Sequence, residues 1–206
     1  MNKTDEIIST LQFLFESVEI VNEDIALVNS GDLYGFYAIN HEYQSDLIYA
    51  RIDIDSGMVI CSTFKNDRDD LYRKSDIYFI NANKMINIDK AFKVEVSNDY
   101  LMIIFKDNVV DTHALYRIDT GELIWTGTCE SSRIFGEKQF IPVAISDKKG
   151  NIFAIDDSGN VTDIEDALKS KFSKVDVTKG KVKINKYVVT DTEGNKFSLN
   201  VYGQRY

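Results

Sequence analysis

The residues with the most chemical potential are aspartates followed by a small residue and glycine. Asp55-Ser56-Gly57, Asp119-Thr120-Gly121 and Asp157-Ser158-Gly159 repeat one pattern. Two such triplets brought face to face would let a carboxylate pair share one proton, one group acting as acid and the other as base. Asp55 and Asp119 are the candidates for that pairing. Each triplet, however, stands between apolar, β-branched runs. There Asp bonds its own downstream backbone and Gly supplies the positive φ of a tight hairpin, so turn formation is the expected role. Asp53 opens a run that starts like a calcium loop. Its glycine comes fifth where the sixth is needed, and Phe64 stands at the twelfth position in place of a bidentate Glu.

His41, His113, Cys61 and Cys129 are the four soft metal ligands, and none stands at a local metal-binding spacing. Buried structural cysteines and loop histidines are expected, with no metal and no cofactor. The sequence has no glycine-rich phosphate loop and no nucleophile elbow. No catalytic residue is assigned, and a non-enzymatic role is expected.

Aromatic residues are the second resource. Six of the eleven tyrosines fall at Tyr34, Tyr37, Tyr43, Tyr49, Tyr72 and Tyr78. Tyrosine offers large contact area at low entropy cost and is enriched at interface centres. Interleaved with acids, Tyr34, Tyr37, Tyr43, Asp46, Tyr49, Asp69, Asp70 and Tyr72 form the expected partner-binding set. Trp125 marks the alternative, a small-molecule or glycan pocket in a β-domain.

The charge agrees with a basic partner. The chain carries −9 overall: residues 1–164 hold 15 Lys/Arg against 28 Asp/Glu, and residues 165–206 hold 9 against 5. An acidic body repels nucleic-acid phosphates, so direct nucleic-acid binding is not expected. Seven lysines lie between 169 and 186, read as solvated positions on a helix end and an edge strand. Two cysteines make no disulfide framework, the first residues lack a secretory pattern, and apolar runs are too short to span a bilayer. A cytoplasmic location without membrane contact is expected. The resulting expectation is a non-catalytic protein-binding protein, an inhibitor or an immunity or anti-defence type. Its acidic, tyrosine-bearing face would meet a basic partner, and strand edges are compatible with a homodimer.

These side chains must be held by β-structure. A single β-rich domain is expected: an N-terminal helix over 1–17, antiparallel strands over 18–161, then a short helix and C-terminal hairpin over 162–206. Ile7, Leu11, Leu14 and Phe15 share one helical face, with Thr4 as cap. Strands are predicted at 25–28, 33–39, 47–54, 58–64, 76–80, 91–96, 101–105, 114–118, 122–128, 140–145, 152–155, 181–189 and 196–202. Asp-x-x-Gly-Asn at 147–151, 156–160 and 191–195 supplies a second turn form. Residues 65–74 read as a loop or short helix. The second helix is expected near 163–173, with Thr162 and Glu165 at capping-box spacing.

The stretch 114–125, Ala-Leu-Tyr-Arg-Ile-Asp-Thr-Gly-Glu-Leu-Ile-Trp, resembles one strand pair of a PQQ-type propeller blade. Glycine positions show no fixed period along the chain. The expected fold is mainly β: an antiparallel meander, sandwich, or barrel-like or propeller-like sheet.

Overall fold

A computed structural model of the chain describes residues 3–63, 75–88, 91–97, 99–106, 110–136, 139–179 and 184–205. The fold is mainly β, and the described residues form five antiparallel sheets that each use consecutive strands in order. The first holds β1 (Ser17–Ile20), β2 (Ile25–Ser30), β3 (Leu33–Ala38) and β4 (Tyr43–Gln44). The second holds β5 (Arg51–Asp55), β6 (Met58–Ser62), β7 (Ser75–Phe79) and β8 (Lys84–Asn87). The third comprises β9 (Ala91–Val96), β10 (Tyr100–Phe105), β11 (Thr112–Arg117) and β12 (Glu122–Thr128). The fourth comprises β13 (Ser131–Ile134), β14 (Val143–Ser146), β15 (Ile152–Ile155) and β16 (Val161–Asp163). Three strands, β17 (Lys174–Lys179), β18 (Ile184–Thr190) and β19 (Lys196–Leu199), make the fifth. Four-stranded meanders of this kind are the units of propeller-like folds.

The first strands of the sheets begin at Ser17, Ala91 and Ser131 among others, and the spacing from sheet to sheet is 34, 40, 40 and 43 residues. The chain therefore does carry a repeat. Glycine positions hide it because each sheet uses different turn chemistry.

Two compact units divide the chain: Met1–Lys93 with Ile118–Gly121, and Val94–Arg117 with Glu122–Tyr206. In the first, α1 (Lys3–Leu14) and the second sheet cover opposite faces of the first sheet. Strand alternation sends Ala26 and Val28 toward Leu11 of α1. It sends Ile25, Phe36 and Ala38 toward Val59, Cys61 and Tyr78. In the second unit, Tyr100, Met102 and Leu115 pack with Val143, Ile145 and Ile155. A further core gathers Ile164 and Leu168 of α2 (Ile164–Lys169) with Tyr187, Val189 and Leu199. The C-terminus belongs to this unit. Gln204 donates to the Ile141 carbonyl at 2.8 Å, and the Arg205 guanidinium lies 3.9 Å above the Phe197 ring.

Both helices start where predicted to within a few residues, but their caps differ. Thr4 lies inside α1. Asp163, one residue beyond Thr162, caps α2 by accepting from the Glu165 amide at 2.8 Å. Leu14, placed on the buried face from its spacing, is 59% exposed because α1 ends there. The segment 65–74 lies outside the described residues.

The Asp-x-x-Gly-Asn turns all close in the same way. Asp147, Asp156 and Asp191 each accept two backbone amides on one carboxylate oxygen. Each accepts the side-chain amide of the paired Asn (Asn151, Asn160, Asn195) on the other. Gly159 has a second duty. A methyl group there would lie 2.1 Å from the Ile124 carbonyl oxygen, so only glycine lets this turn rest on β12.

Candidate interaction site

The first unit carries the most distinctive surface. Residues 1–50 contain nine acids and one Lys or Arg, Lys3. Of the nine, Asp5, Glu6, Glu16, Glu19, Glu23, Asp32, Glu42 and Asp46 are exposed. Asp24 is half-buried and accepts from the Asn40 amide. Lys3 forms an ion pair with Glu42, whose carboxylate holds the ammonium pKa above its ordinary value. Residues 1–50 thus carry −8 of the −13 held by residues 1–164.

Helix α1 positions a groove on this surface. Asp5 and Glu6 favour the positive end of its dipole, and Leu11, with Ile7 and Phe15 beside it, seats it on the first sheet. The register places Ile20, Ala26, Tyr37 and Gln44 in one cross-strand row on the α1 side. Between α1 and the β3–β4 edge lies a groove of about 280 Å³. Its walls include Glu6, Ile7, Leu14, Tyr37, Glu42 and Gln44. Glu42 itself adopts the left-handed conformation, φ 51, directly after a single 3-10 turn at Ile39–His41.

The structure separates the tyrosines expected on one face. Tyr37 is half-buried in the groove wall, and Asp46 is exposed. Tyr34 is 38% exposed, and its backbone pairs with that of Tyr49. Tyr43 points to the opposite face and stacks on Tyr78, with centroids 5.1 Å apart and planes 8° from parallel. Tyr49 is 3% exposed, so it leaves the candidate surface for the core, where its hydroxyl donates to Asp76 at 2.8 Å. Burial pushes the Tyr43, Tyr49 and Tyr78 hydroxyls up in pKa, Tyr78 to about 12. A tyrosine can fill such a core and still satisfy its polar tip at the rim, which accounts for much of the tyrosine excess. Asp69, Asp70 and Tyr72 lie outside the described residues.

Trp125 lines a groove of about 290 Å³ in the second unit, together with Gly127, Ile145, Asp147, Phe153 and Val161. A side chain at position 127 would begin 2.6 Å from the indole, so Gly127 lets the ring lie along the strand. The walls are chiefly apolar. Both carboxylate oxygens of Asp147 already accept hydrogen bonds within its own turn, so its capacity to receive a sugar hydroxyl is largely used.

Other candidate groups have structural surroundings. Asp55, the last residue of β5, and Asp119, in a turn, are exposed, and Asp55 accepts from its neighbour Ser56 at 2.9 Å. Asp53 pairs with Arg51 at 2.8 Å. His41 is exposed. His113 is buried, with Nδ1 2.9 Å from the Ser132 hydroxyl and its Nε2 unpartnered. Burial raises both cysteine thiols, Cys129 to about 12, which opposes thiolate chemistry. Lys169 pairs with Glu165 at 2.7 Å and Lys174 with Asp176 at 2.9 Å. No described helix is long and apolar enough to cross a membrane, which says nothing of strands.

No family model and no curated protein matches the chain. Among solved structures, it is similar to the N-terminal domain of Nup159, with 9% identity and a TM-score of 0.32, covering 91% of this chain and 60% of that one. It is also similar to BamB from Moraxella catarrhalis, at 7% identity and TM-score 0.30, covering 89% and 58%. The C-terminal WD40 domain of Sif2 gives 14% identity and TM-score 0.30, covering 89% and 56%. This chain therefore spans about three-fifths of the length of each of these structures.

Proposed function

We propose that the chain is a non-catalytic, cytoplasmic protein-binding protein of inhibitor, immunity or anti-defence type, whose first sheet and α1 engage a basic partner. The observation that supports this is the concentration of nine acids in residues 1–50 beside one lysine that is itself paired with Glu42. Tyr34, Tyr37 and Asp46 add exposed or half-exposed contact area to the same unit. Opposite charge speeds encounter, and aromatic anchors slow release. Replacing Glu19, Glu23 and Asp46 together by Lys tests the reading against the partner purified from the source cell. The partner's affinity is expected to fall at least about tenfold while circular dichroism stays unchanged. Unchanged affinity would overturn the reading.

A second reading rests on the Trp125 groove, whose walls of Trp125, Ile145, Phe153 and Val161 suit an apolar small molecule better than a glycan. Trp125 is the one tryptophan of the chain, so saturable change in its fluorescence with added ligand tests this directly.

A further inference from the structure

The groove beside α1 combines three properties that general surface acidity does not explain. Four of its lining residues, Ile7, Leu11, Leu14 and Tyr37, bring apolar surface to it, beside the polar Thr10 and Gln44. Leu14 is 59% exposed and its neighbour Phe13 is 89% exposed, so the helix ends on large apolar side chains that the fold leaves in water. Glutamates from two different elements, Glu6 of α1 and Glu42 after the 3-10 turn, line the same groove. Glu42 is brought there by a left-handed backbone that a non-glycine residue adopts at some cost.

We infer that this groove receives a short basic, amphipathic segment of a partner protein. An apolar side chain of the segment would lie against Leu14 and Tyr37, and lysine or arginine would lie against Glu6 and Glu42. The inference rests on the basic-partner reading above and gives it a location. Charge complementarity selects the occupant: the groove wall holds one cation, Lys3, and Lys3 already occupies Glu42. Lys3 thus acts as an internal stand-in that the incoming cation displaces. The ion pair is solvent-exposed, so exchanging one cation for another costs little, and burial of the apolar side chain supplies the preference.

Two blocked twelve-residue peptides of equal charge serve as probes. One is lysine-rich with two leucines four residues apart, and the other has serine at both leucine positions. Fluorescence anisotropy at low salt is expected to show the leucine peptide binding about tenfold more tightly. Leu14→Ser, a change at an exposed position that preserves charge, should remove that difference. Lys3→Ala should tighten the leucine peptide, and Glu42→Gln should weaken it. Equal binding of both peptides, or a preference that survives Leu14→Ser, overturns the groove while leaving the acidic-face reading intact. Failure of both peptides to bind overturns both readings. Sedimentation showing a dimer that Leu14→Ser dissolves would assign the groove to a second copy of the chain and overturn the proposal.

Discussion

At the scale of single side chains, three turn aspartates bear on the response to acid. Asp147 and Asp156 lose some hydration, which raises their pKa, but hydrogen bonds from Asn and backbone amides outweigh that loss and hold both below the usual range. For Asp191 the Asn195 amide is the leading cause of the same shift. A carboxyl depressed in the fold stabilises it above the unfolded value, near pH 4, and the stabilisation is lost as pH falls through the folded value. Denaturant unfolding should therefore show stability declining below about pH 4, and the Asn151, Asn160 and Asn195→Ala triple variant should show a shallower decline. His113 acts in a different window. Burial lowers its pKa despite Asp111 and Glu95 nearby, so the unfolded chain takes up the proton first. Stability should begin to fall as pH drops through about 6.5, and His113→Gln should remove that part of the slope. Gly159→Ala should cost about 2 kcal/mol or more in thermal unfolding. It imposes both a positive φ and a backbone contact on the new methyl group.

Among the secondary-structure elements, α1 is held by very little. Its twelve residues are too few for a stable isolated helix, and Leu11 is its one fully buried side chain. Leu11→Ala should cost about 2–4 kcal/mol by chemical denaturation, whereas Leu14→Ser should cost almost nothing. The strands divide in an instructive way. Inner strands such as β2, β6, β10 and β14 were recognisable because burial on both faces demands continuous apolar runs. The predicted strands omit β1, β4, β8, β13, β16 and β17, and every one of these ends its sheet. Most of these strands are short, and all three residues of β16 are exposed; β1 and β17 do alternate, through Val18 and Ile20 and through Val175 and Val177, but each carries only two apolar residues. The 34- to 43-residue sheet repeat is set by the first strand of each sheet, and three of those five, β1, β13 and β17, are absent from the predicted strands. Of the residues expected at the candidate site, Tyr37 is half-buried and Asp46 exposed, so both keep accessible surface. Tyr49 was not separable from them, since a strand tyrosine looks the same whether its ring faces water or Asp76. The groove itself depends on where α1 crosses the first sheet, and local spacing holds no information about that crossing.

Across the whole chain, charge is graded along the sequence. Nine acids and one Lys or Arg occupy residues 1–50, while residues 165–206 hold 9 Lys/Arg against 5 Asp/Glu. On the proposed reading, the acid-rich first sheet attracts a basic partner before contact and acts chiefly on the association rate, which ions in solution screen. The most direct measurement is that rate for the purified partner, followed by stopped flow from about 20 mM to about 500 mM salt. A drop of at least about tenfold, largely abolished by Lys at Glu19, Glu23 and Asp46, is the predicted result. A rate indifferent to salt, or a salt dependence that survives those three substitutions, would contradict recognition through the acidic first sheet.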